Sequence, residues 1–140
     1  GHMKQGLRMF EDTQEVLLNN HMKVGYAISE SILGVVYTQF VTGPSPGLAT
    51  IAKNITFLLR NAPSADRKAE EHFNKAIKMF KELGAKNFLG QSIFDLGLLF
   101  KAKKRNEKAH DCFTEAADLF QECGADLYLK QAKEELASLQ

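Results

Sequence analysis

Leu96-Gly97-Leu98-Leu99-Phe100 and, nine residues further on, Ala109-His110-Asp111-Cys112-Phe113-Thr114-Glu115-Ala116 decide the fold of this chain. In the second stretch Ala109, Phe113 and Ala116 are spaced i, i+4, i+7, which places them on one face of a helix. Glycine inside a helix costs about 1 kcal/mol against alanine, so Gly97 needs a packing reason. Gly97, Ala109 and Ala116 carry too little side chain to hold two helices apart, and Phe100 and Phe113 then fill the space beside the close approach. Lys104-Arg105-Asn106 is the polar turn between the two helices, with Asn106 expected as N-cap.

The hairpin is repeated. Sliding residues 69–100 onto 109–140 gives eleven identities in 32 positions without a gap, among them Ala69/Ala109, Phe73/Phe113, Ala76/Ala116, Phe80/Phe120 and Gly84/Gly124. Shared amphipathicity would match residue classes, not glycine on glycine, so the period of forty is a structural repeat. Gly84 and Gly124 are expected to end helices. A shift of 63 brings in the N-terminal third: Phe10 falls on Phe73, Leu33-Gly34 on Leu96-Gly97, and Tyr37 on Phe100. The 23 residues beyond one period must lie between Tyr37 and Ala69, inside one hairpin. There Gly43-Pro44-Ser45-Pro46-Gly47 forms a turn, and Leu48, Ile51, Ile55, Leu58 and Leu59 form an apolar stripe that ends before Pro63. The sequence therefore predicts an all-α chain of seven helices, over 7–21, 24–41, 46–61, 66–83, 87–103, 106–122 and 126–139. Residues 4–140 make one domain, with 42–65 as an insertion and the last helix capping the stack with an outer face of Lys130, Lys133, Glu134 and Glu135.

The Leu-Gly-x-x-aromatic and Ala-x-x-x-Phe-x-x-Ala pattern, carried by Leu96, Gly97, Phe100, Ala109, Phe113 and Ala116, resembles the tetratricopeptide repeat. Three departures stand out: Ile93 where that family has a large aromatic residue, Gln121 where it often has proline, and a period of forty instead of thirty-four. They imply a long-repeat version of the same α-solenoid. The stretches 68–76, 90–99 and 128–134, together with the inserted segment, look like C-terminal tetratricopeptide regions of bacterial signalling proteins, in which a class III nucleotide cyclase domain and an AAA-type ATPase domain precede the repeats. The resemblance implies a regulatory or protein-binding module without an activity of its own.

Composition narrows the function further. The chain has 140 residues, of which 44% are hydrophobic, 25% charged and only 3 are proline, so it is neither collagen-like nor disordered. Eighteen basic against seventeen acidic side chains leave +1, and no overall field favours nucleic acid or an anionic membrane. Gly1-His2-Met3 reads as the remnant of a protease-cleaved tag on a piece of a longer protein. No apolar run reaches membrane-spanning length. Cys112 and Cys123 lie eleven residues apart in one helical pattern, about 16 Å along its axis. That exceeds disulfide reach, and reduced thiols fit a cytoplasmic protein.

No catalytic, metal-binding or cofactor-binding set emerges. His21, His72 and His110 belong to separate helices, and there is no HxxxH, CxxC or glycine-rich phosphate loop. Lys101, Lys103, Lys104 and Arg105 form the one dense basic cluster. At a helix end it complements the helix dipole, contact with an acidic partner being the alternative. More informative is a gap in charge. From Val24 to Leu59, 36 residues hold two charges, Glu30 and Lys53, where nine would be average. The helix over 24–41 is apolar nearly all round and must be covered.

In tetratricopeptide arrays the first helix of each repeat lines a concave groove. The register then implies that Ile28, Ser31, Val35, Thr38 and Gln39 face it from one repeat, and Gln91, Phe94, Leu98, Lys101 and Ala102 from the next. Ile28, Val35, Phe94 and Leu98 are its expected apolar centre. Two covers remain open: the inserted helix folding back, expected to supply at least part of the cover, or a partner helix or peptide, including one from the parent's own catalytic domains. Homodimerisation and an apolar small-molecule sensor are the alternative functions.

Overall fold

The computed structural model describes residues 2–19, 22–42 and 62–139. Among these residues there are six α-helices, one 3-10 turn and no strand. The helices are α1 (His2–Asn19), α2 (Lys23–Thr42), α3 (Ala65–Leu83), α4 (Lys86–Ala102), α5 (Asn106–Glu122) and α6 (Asp126–Ala137), and the 3-10 turn is Ala62–Ser64, leading into α3. The all-helical expectation holds, and five of the seven helices expected from sequence begin within a residue of their expected positions. The first starts earlier, at His2, because no proline lies upstream of Leu7 and Lys4 and Gln5 favour a helix, which carries Gly6 within it. The expected inserted helix over 46–61, with Leu48, Ile51, Ile55, Leu58 and Leu59, lies outside the described residues, as do the 43–47 turn, His21 and the Phe10 side chain.

Each helix packs antiparallel on the next. Glu30 of α2 meets Lys75 and His72 of α3, while Tyr37, two turns later, meets His72 and Lys68. Gly90 of α4 lies against Phe120 of α5, and Gly97 against Phe113. The even-numbered helices therefore run parallel to one another: Ser31 of α2 touches Ser92 of α4, and Gln91 and Lys101 of α4 reach Tyr128 and Glu135 of α6.

The small residues have the packing reason that the sequence demands. A Cβ on Gly97 would sit 2.7 Å from the Phe113 ring and 3.1 Å from Cys112 Cβ, and one on Gly34 would sit 2.7 Å from the Phe73 ring. Phe73 and Phe113 are fully buried, so neither ring has room to retreat. Ala69, Ala76, Ala109 and Ala116 are also fully buried and flank these two rings. The core divides into two clusters. One gathers Leu33, Tyr37, Phe73, Leu96, Phe100 and Phe113; the other gathers Ala27, Phe80, Leu89, Ile93, Phe120 and Ala132.

The turns repeat every twenty residues, half the period seen in sequence. Gly84, Lys104 and Gly124 all take the left-handed conformation, with φ of 66°, 56° and 66°. After each, the next residue's N–H donates back to a buried phenylalanine carbonyl: Ala85 to Phe80, Arg105 to Phe100, and Ala125 to Phe120. This is the six-to-one closure of a Schellman cap. At the end of α1 the Met22 N–H donates to the Leu17 carbonyl at 2.8 Å. The closure corrects the expectation for Asn106. Arg105 occupies the cap position of α5 with no side-chain cap, its own N–H is engaged with Phe100, and Asn106 is simply the first helical residue. Lys104 stands where its counterparts are glycine, and a left-handed non-glycine residue costs about 1–2 kcal/mol. Lys104→Gly is expected to stabilise the protein by about 1 kcal/mol in urea unfolding. No gain would count against a left-handed backbone at this turn.

Candidate functional site

The parallel run of α2 and α4 leaves a cleft between them. Its walls are two single helix faces: Val35, Thr38, Gln39 and Thr42 from α2, and Asp95, Leu98, Lys101 and Ala102 from α4. Phe73 of α3 is the floor, and the cleft, open on one side, has a volume of about 450 Å³. Each wall spans eight residues, so the cleft is about 10 Å long. One helical turn before Val35 and Asp95, the Ser31 and Ser92 hydroxyls meet at 2.9 Å and close that end.

Four of the eight groove residues expected from sequence, Val35, Thr38, Leu98 and Lys101, line this cleft, as do Gln39 and Ala102. The other four do not. Ser31 is spent on Ser92, and Gln91 Nε2 reaches the Tyr128 hydroxyl at 3.5 Å. Phe94 packs its ring on Phe113 and Phe120, at centroid distances of 5.4 and 6.5 Å, so it is held by the core instead of standing free in a groove. Ile28 packs against the second core cluster. Lys101 gives its charge to Glu135 Oε2 at 2.6 Å and a second bond to Ser138 Oγ. Glu135, expected on the outer face of the last helix, is therefore turned inward to α4.

Asp95 is the cleft residue that the groove register passed over, although it lies i+4 from Gln91 and i−3 from Leu98 and so shares their face. Among the described residues no cation or hydrogen-bond donor is assigned to it. Burial alone pushes its carboxyl up from 3.8 to about 6. Because the folded-state value is raised, ionising Asp95 costs stability, and that cost grows as pH rises from 3.8 through about 6.

A second acidic residue is handled in the opposite way. Glu30 is 1% exposed. Its Oε1 accepts from Gln14 Nε2 at 2.8 Å, and its Oε2 accepts from His72 Nδ1 at 2.6 Å. An ionised carboxylate only accepts, so the imidazole proton sits on Nδ1. Burial would raise the Glu30 pKa, but hydrogen bonds from His72 and Tyr26 and the charges of His72 and Lys75 outweigh it and hold the carboxyl below 4.5. The Tyr26 hydroxyl is pushed up to about 12, by its own burial first and then by Glu30. The signal was present in the sequence as the lone charge of the 24–41 helix. What the sequence did not show is that three helices converge on it.

The remaining chemistry-bearing residues are structurally engaged. Lys103 pairs with Asp66 at 3.1 Å, and Arg105 pairs with Glu70 at 2.9 Å while lying over the Phe100 ring. The basic cluster is thus largely matched by carboxylates of α3 and α6. Cys112 is pushed up to about 11, chiefly by burial and then by Glu115, Asp111 and Glu70, which leaves its thiol a poor nucleophile. Among the described residues no cluster of three or more His, Cys, Asp or Glu side chains is arranged to hold a metal ion, and no helix is long and apolar enough to cross a membrane. No protein-family model matches the chain, nor does any curated protein or solved structure.

Proposed function

We propose that this chain is a non-catalytic protein-binding module of the tetratricopeptide type, an α-solenoid that docks a helix or peptide of a partner between the first helices of successive hairpins. The observation that carries the reading is the cleft between α2 and α4, walled by two helix faces with Val35, Leu98 and Phe73 at its apolar heart. The glycine–phenylalanine interlocks at Gly34/Phe73 and Gly97/Phe113 and the identical turns twenty residues apart support repetition of one hairpin unit. By its resemblance in sequence, the module is a regulatory region of a larger signalling protein with cyclase and ATPase domains, and those domains are candidate sources of the docked segment.

The dimer reading has less support. Met9, Val16 and Leu18 are exposed on α1, but Leu18 lies on the side of the helix opposite Met9 and Val16, so they form no single apolar face.

A photo-crosslinking amino acid in place of Leu98 tests the proposal in cells, with the same substitution at exposed Leu127 as control. The expected product is an adduct to one defined segment of another protein or of the parent's other domains, formed from position 98 and not from 127. An intramolecular link to residues 43–61 assigns the cleft to the chain's own inserted segment, and a product of twice the mass assigns it to self-association. Either of these, or no adduct, overturns partner docking in this cleft.

A further inference from the structure

The two walls of the cleft repeat an arrangement found one hairpin later, with one member exchanged. Between α4 and α6, Lys101 Nζ meets Glu135 Oε2 at 2.6 Å. Stepping back by the forty-residue repeat takes Glu135 to Asp95, and stepping back by the 63-residue offset takes Lys101 to Thr38. The acid is kept and the lysine is not. Thr38 cannot replace it, because its hydroxyl donates to the Gly34 carbonyl of its own helix at 2.9 Å. Lys101, the one cation in the cleft wall among the described residues, is already held by Glu135 and Ser138. Among the described residues, Asp95 is thus left without a counter-ion at the closed end of the cleft, on the same walls as Leu98 and Val35.

Resting on the docking function proposed above, we infer that the cleft selects a helical partner segment by a basic side chain, lysine or arginine, whose cationic end meets Asp95 while apolar neighbours one turn away cover Val35 and Leu98. Charge complementarity sets the choice. A carboxylate among apolar side chains is stabilised by a cation and disfavours an acidic or neutral ligand. The cleft length of about 10 Å corresponds to roughly two turns of a docked helix, enough for one basic residue and its i−3 and i+4 neighbours. The raised pKa of Asp95 agrees with a carboxyl awaiting a counter-ion.

The test is selection from a displayed library of 14-residue amphipathic helices, randomised on one face, against the wild-type chain, Asp95→Asn, Thr38→Lys and Leu98→Glu. Asp95→Asn removes a charge whose burial is unfavourable, so its fold is preserved, and circular dichroism checks each variant. Wild type is expected to enrich peptides with one basic residue between apolar ones, and Asp95→Asn to lose that preference. Replacing the selected arginine by its neutral isostere citrulline should weaken binding to wild type by about tenfold or more, and to Asp95→Asn hardly at all. Thr38→Lys restores the missing cation from within and should also abolish the preference. Peptides enriched without a basic residue, or a basic preference that survives in Asp95→Asn, overturn the inference and leave the docking cleft standing. If no peptide prefers wild type over Leu98→Glu, the docking function fails, and the inference with it.

Discussion

Phe113→Ala is expected to cost about 3–5 kcal/mol in urea or thermal unfolding, with an unchanged urea m-value. The magnitude follows from what surrounds the ring. Phe113 has no exposed surface, and it lies where a Cβ on Gly97 would be, at 2.7 Å. Glycine has no side chain to swing into the space, and the α4 backbone beside it is fixed by neighbouring contacts along its whole length. Phe94, at 5.4 Å, is also held by Phe120. A cavity bounded in this way cannot collapse, and the cost of truncation rises with the volume left empty. Against a total stability of about 5–15 kcal/mol, such a loss unfolds much of the population at moderate temperature. Phe73→Ala, opposite Gly34, removes the equivalent ring. A loss under about 1 kcal/mol for Phe113→Ala would mean that the ring is not locked against α4 and that Gly97 has some other purpose.

These interlocks were legible in the sequence because they rest on residue size at fixed helical spacing. Gly97, Ala109 and Phe113 announce a close approach without any knowledge of the partner helix. Helix boundaries were legible for the same reason: Gly84 and Gly124 punctuate the periodic pattern. The third turn was legible too, as polar Lys104-Arg105-Asn106, but its left-handed closure was not, since a left-handed lysine has no sequence signature and is imposed by the helices on either side. That is why Asn106, a good cap by composition, was expected to do what the backbone closure at Arg105 does instead. The cleft was legible in part. Helical phase put Val35, Thr38, Leu98 and Lys101 on the right faces, but phase says nothing of depth, so Phe94, on much the same arc of α4 as Leu98, went to the core. The polar network around Glu30 depends on side chains from three helices, and no local pattern encodes such a convergence.

That network carries the other large effect. His72→Leu is expected to cost about 3 kcal/mol at neutral pH, because it strips a buried carboxylate of one of its hydrogen-bond donors and leaves that charge under-compensated. Gln14 and Tyr26 still donate to Glu30, and Lys75 Nζ remains 3.9 Å away, which keeps the loss at the lower end of the range for such pairs. His72 also stacks its ring on Tyr37, with centroids 5.5 Å apart and planes inclined by 8°, so lost packing is a competing cause of the same number. Two measurements separate charge from packing. Glu30→Leu in the His72→Leu background removes the stranded carboxylate and should recover most of the stability, giving a coupling energy of about 2–3 kcal/mol. A pure stacking loss would not be rescued. The pH profile separates them as well. The folded-state pKa of Glu30 lies below 4.5, so its stabilising contribution is fully present above 4.5 and is lost as pH falls through the lower folded-state value. In His72→Leu the donor and the positive charge that depress that pKa are gone, and Glu30 takes up its proton at higher pH. The deficit relative to wild type should therefore shrink steadily as the solution is acidified below 4.5. A deficit that stays constant across that range would assign the loss to the Tyr37 stack and leave the buried carboxylate without an energetic claim on His72.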